Sequence, residues 1–175
     1  MLLPYTFAMD FIQDYTAVLM EIFTSSGFKE TNNFISDLAN ARDQINIHPN
    51  ALTEAVTTLK SRDHLINSEV EAAILSIQID QWIMLRQTSQ YALLLDSNLN
   101  NAYATKALTT PINEVVNGKS ISFKAGLFVY KGHFVCDGII SKPVHLGPNV
   151  LRDFNDAYIQ LKKQGKFHKI PKEYV

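Results

Sequence analysis

The sequence predicts an α+β fold: a mostly helical N-terminal two thirds with a long central helix over about 68–96, then a C-terminal β-hairpin over about 120–140. A short third strand and a closing helix over about 149–164 follow. Three observations carry this expectation. Apolar residues recur at spacings of three and four through the N-terminal region. Two alternating apolar runs flank the pair Lys131-Gly132, the signature of paired strands around a tight turn. Gly27 and Gly165 stand where periodic stretches stop, as left-handed helix caps do.

The first helix is read from Phe7, Phe11, Tyr15, Val18, Leu19, Ile22 and Phe23, a single stripe ending near Gly27. Phe34, Leu38, Ala41 and Ile45 mark the buried face of a second helix, which "HPN" at 48–50 interrupts. Leu52, Val56 and Leu59 repeat the pattern in a third. "SEVE", Ser68 to Glu71, is a capping-box start, and the apolar residues that follow cover most of a helical circumference, so this helix is expected at the centre. A loop, a short helix around Ala102 to Leu108 and a turn after Pro111 lead to the strands.

Across Lys131-Gly132 the expected pairs are Tyr130 with His133 and Phe128 with Val135 on one face, and Val129 with Phe134 and Leu127 with Cys136 on the other. The second face is wholly apolar and is assigned to the core. Val144 to Leu146 supplies the third strand, and Leu151, Phe154, Tyr158 and Leu161 form the buried stripe of the closing helix.

A chain of 175 residues, 46% apolar and 19% charged, is long enough for one globular domain with a real core. The expected organisation is a single domain over 1–175, in which a helical region (1–118) is followed by a hairpin-helix region (119–165) and a tail (166–175), without repeats or low-complexity linkers. One cysteine, Cys136, excludes an intrachain disulfide framework and a thiolate metal cluster, and a cytoplasmic location is the expectation. "MLLPYTFAMDF" has no basic segment and reaches Asp10 early, which reads as neither signal peptide nor anchor; Met1 and Met9 are both candidate starts. Glu71, Asp80 and Arg86 within the richest apolar stretch exclude a membrane helix there.

The net charge of -1 conceals an asymmetry. Residues 1–118 hold 6 Lys plus Arg against 13 Asp plus Glu, whereas 119–175 hold 10 against 4, so the two regions carry -7 and +6. The preferred reading is that the basic region docks on the acidic helices, within a chain or between chains. The other reading is a surface for a polyanion.

No motif identifies a substrate or a reaction. "NGKS", Asn117 to Ser120, lacks the first glycine of a phosphate-binding loop, and "DSNLN" from Asp96 lacks the turn glycine and final acid of a calcium loop. His48, His64, His133, His145 and His168 are scattered, so no metal site, cofactor or catalytic residue is assigned. His133 and Asp137 lie roughly 13 Å apart along a strand, too far for an acid-base dyad. Asp137 is expected to cap the bend at Gly138, and Cys136 to be a core residue.

The leading functional expectation is a non-enzymatic binding protein that presents Phe128, Tyr130, His133, Val135 and Asp137 to a second copy or a protein partner. A second is a nucleic-acid-binding accessory protein using Lys162, Lys163, Lys166, Lys169 and Lys172 with Phe167 and Tyr174. A third is an enzyme with a cleft built from His133, Asp137, His145 and Arg152.

Overall fold

The computed structural model describes residues 2–118 and 120–172. Its helices are α1 Tyr5–Ser25, α2 Phe34–Ile47, α3 Ala51–Ser61, α4 Ser68–Leu75, α5 Ile112–Val115 and α6 Pro148–Lys163. Its strands are β1 Gln78–Gln87, β2 Ala92–Leu95, β3 Ala102–Ala107, β4 Ile121–Tyr130, β5 His133–Cys136, β6 Ser141–His145 and β7 Phe167–His168. The chain divides into two compact units, a helical one over 4–79 and a barrel over 80–175 that also takes in the first three residues. The division falls near residue 80, well before the charge boundary at 118.

In the helical unit, α1 packs against α2 and α3 through Phe11, Tyr15, Val18, Leu19, Ile22 and Phe23, and Gly27 adopts φ +70° just past its end. Asn33 caps α2 by accepting from the Ser36 amide, while buried Asp37 accepts from the Thr31 amide and hydroxyl. Phe34, expected on the buried face of α2, is 54% exposed. Asn67, not Ser68, caps α4, accepting from the Glu69 amide at 2.9 Å. Arg62 pairs with Glu21 at 2.8 Å, and His64 reaches Asp14 at 3.1 Å.

The long central helix over 68–96 is overturned: α4 stops at Leu75, and the remainder forms β1 and β2. The two-stranded hairpin is overturned with it. The pairs expected across Lys131-Gly132 are present, from Leu127↔Cys136 to Tyr130↔His133, but β4 and β5 are two staves of a closed five-stranded barrel. Strand order is β1-β2-β3-β5-β4, and a further β4 to β1 pairing closes the ring. β3 runs parallel to β5, with Thr105 opposite Phe134, and α5 lies between β3 and β4 in the chain. This is the connectivity of an OB-type Greek-key barrel. The segment expected as a short helix around Ala102 to Leu108 is β3.

The physical reason for the mistaken helix is burial on both faces. Trp82, Met84, Ala92 and Leu94 fill the barrel with Phe123, Ala125, Leu127 and Cys136, and Ile112 and Val116 of the α5 segment join them. Ile83, Leu85, Leu93 and Leu95 point outward and pack beneath Leu151, Phe154, Tyr158 and Leu161 of α6. A strand covered on both sides reads as a continuous apolar run, so its period of two disappears from the sequence.

β6 pairs antiparallel with β4, Ile121 opposite His145. β7 adds to β3 in parallel, Ala102 opposite Phe167 and Tyr103 opposite His168. Among the described residues no helix is long and apolar enough to cross a membrane.

Candidate nucleic-acid interface

The basic C-terminal segment is held in place by α6 and β7. α6 turns its apolar stripe to the barrel, so Lys162 and Lys163 in its last turn face solvent, where the helix carbonyls favour positive charge. Gly165, at φ +72°, reverses the chain. The Lys166 amide then donates to the Leu161 carbonyl, and the Ala102 amide donates to the Lys166 carbonyl, each at 2.9 Å. These bonds fix the entry into β7, leaving Lys166 and Lys169 exposed on either side of half-buried Phe167 and His168.

Three aromatic rings from separate elements meet here. Phe167 lies 5.5 Å from Tyr158 in edge-on geometry and 6.2 Å from Tyr91. Two cations cover the cluster: Lys169 Nζ is 5.8 Å from the Phe167 ring centre and Arg86 Cζ is 5.3 Å from that of Tyr158. Tyr91 and Phe167 are half-buried, whereas Tyr158 is buried. Lys162, Lys163, Lys166, Lys169 and Lys172 are all exposed, and among the described residues none pairs with a carboxylate. In sequence the barrel unit carries 12 Lys plus Arg against 7 Asp plus Glu, a formal +5.

Beside the rings, His168 Nε2 lies 2.9 Å from the Asn101 side-chain oxygen. Burial, then the charge of Lys172, lowers its pKa, with Asp96 opposing. Tyr103, 5.4 Å from the His168 ring, is pushed up by burial and by Asp96 and Asp80.

The residues expected to form a binding face on β4 and β5 are placed differently. Phe128, Tyr130 and Val135 are 2%, 3% and 0% exposed in a single chain, so the uncovered aromatic face expected from the sequence does not exist. Asp137 is also buried and accepts from the Ile139 amide at 3.1 Å, bracing the bend where Gly138 has φ +74°. His133 turns its Nε2 to Lys106 Nζ at 3.0 Å. Cys136 is 1% exposed inside the barrel.

The four residues proposed for an enzymatic cleft do not converge. His133 pairs at the Tyr130 end of β4 and His145 at the Ile121 end, about 30 Å apart along the strand at the usual rise. Arg152 is exposed on α6 next to Asp153. Among the described residues no group of three or more His, Cys, Asp or Glu has metal-binding geometry. Tyr174 and Met1 lie outside the described residues. Arg86 and Tyr91 were missed because both fell inside the supposed central helix; the signal was "TSQY", a turn sequence that ends β1.

Comparisons with known protein families, curated proteins and solved structures gave no match.

Proposed function

We propose that this chain is a non-enzymatic protein that binds single-stranded nucleic acid on the surface formed by the end of α6, β7 and the turn between β1 and β2. The observation that carries the reading is the set of five exposed lysines that have no carboxylate partner among the described residues, beside a ring cluster that Arg86 and Lys169 overlie. Lysines that neutralise phosphates release counterions, and half-exposed rings offer unpaired bases a stacking surface. The barrel connectivity alone assigns no ligand; the charge and the rings are what support this one.

The geometry favours a strand bound by backbone charge with little base selectivity. Phe167 already has ring neighbours on two sides, so Tyr91 at the edge of the cluster is the more available platform. The test replaces Lys163, Lys166 and Lys169 together by Ala and titrates a labelled single-stranded oligonucleotide. The triple variant keeps the parent melting temperature, because all three side chains are exposed, and its salt slope is shallower by about 2. Unchanged affinity and slope contradict the reading.

A further inference from the structure

The helical unit contains an open groove of about 370 Å³ between the end of α1, the second half of α2 and the start of α3. It shares His48, Ala51 and Glu54 with a neighbouring groove of about 250 Å³ around the turn from α2 to α3. Glu21 in the lining is tied to Arg62. Glu54 is exposed and has no basic partner among the described residues. Ile47, on the rim, is 64% exposed. In sequence this unit holds 4 Lys plus Arg against 10 Asp plus Glu, a formal -6, opposite in sign to the barrel unit.

The chain also contains the complement of such a groove. In "KIPK", Lys169 to Lys172, the two lysines are exposed, Ile170 is 50% exposed and Pro171 is buried, so the apolar side chain is presented between two charges on an anchored backbone. We propose that this segment of a second copy seats in the groove, with Ile170 against Ile47 and Ala51 and its lysines against Glu54. Charge complementarity selects this occupant. A carboxylate facing an ammonium steers the encounter, and the exposed Ile gives the contact an apolar centre. The two patches differ, so the contact is heterologous: each copy offers one groove and one segment.

Lys169 also belongs to the nucleic-acid surface, so the groove and the strand compete for it. The competition rests on the proposed function; the association does not. Nucleic acid disperses the assembly by taking the lysines, and in its absence the acidic groove shields them.

Sedimentation velocity on the full chain tests this at about 50 mM and about 500 mM salt, conditions that differ severalfold in screening length. The unmodified chain associates at low salt and disperses at high salt. Glu54→Lys and Lys169→Glu are each monomeric alone, because one lacks the groove charge and the other the segment charge. Mixed, they associate again, since Glu54→Lys retains the native segment and Lys169→Glu the native groove. Both positions are exposed, and a melting curve establishes that each variant is folded; the milder Glu54→Gln weakens association without reversing charge. A monomeric parent at low salt, a Glu54→Lys chain that still associates, or a mixture that stays monomeric overturns the proposal. An oligonucleotide that leaves the parent assembly intact overturns the competition alone.

Discussion

The indole Nε1 of Trp82 donates to the backbone carbonyl of Ala125 at 2.9 Å, tying β1 to β4 across the seam that closes the barrel. Trp82 is the only tryptophan and is 2% exposed, so its fluorescence reports that seam. Trp82→Phe keeps a ring in the core but leaves the Ala125 carbonyl without this donor and loses packing volume, at a cost of about 1–3 kcal/mol. Denaturant unfolding followed by circular dichroism measures it; an unchanged midpoint contradicts the seam role.

Thr105 is completely buried on β3, and its hydroxyl has no hydrogen-bond partner among the described residues. Replacement by Val removes a polar group that folding strips of water while keeping the shape. Thr105→Val is therefore expected to raise the unfolding free energy by about 1 kcal/mol. A destabilised variant means that the hydroxyl is satisfied in solution.

His133 faces Lys106 at 3.0 Å, and burial followed by that lysine lowers its pKa. The folded chain thus takes up this proton less readily than the unfolded chain. Its contribution to stability is complete above the unfolded value of about 6.5 and is lost as pH falls below it toward the folded pKa. An NMR titration of the His133 ring should give a midpoint under that of a free histidine, and Lys106→Met should raise it. A midpoint at or above the ordinary value contradicts the arrangement.

Cys136 packs inside the barrel opposite Leu127. An alkylating reagent should modify it only through unfolding, and Cys136→Ala should cost on the order of 1 kcal/mol without changing nucleic-acid affinity. Rapid labelling of the native chain contradicts this placement.

The elements that were legible in the sequence have one buried face. α1 shows the stripe from Phe11 to Phe23, α6 the stripe from Leu151 to Leu161, and the turn Lys131-Gly132 sets the register of Leu127 with Cys136. β1 and β2 were hidden because Trp82 and Met84 look inward while Ile83 and Leu85 lie under α6. Removing the alternation made two strands resemble the rest of a helix. With them went the barrel, whose parallel β3 and β5 pairing joins Thr105 to Phe134 and has no local sequence signal. The lysines of the C-terminal segment were visible as composition. The ring cluster was not, since Tyr91, Tyr158 and Phe167 come from β2's edge, α6 and β7 and meet only in three dimensions.

The most direct measurement is the salt dependence of single-strand binding by the unmodified chain, read by fluorescence polarisation with a labelled oligonucleotide. Five exposed lysines with no carboxylate partner among the described residues predict a log–log slope of about -3.5 and binding that Tyr91→Ala weakens without altering that slope. No binding at about 50 mM salt, or binding indifferent to salt, contradicts the account.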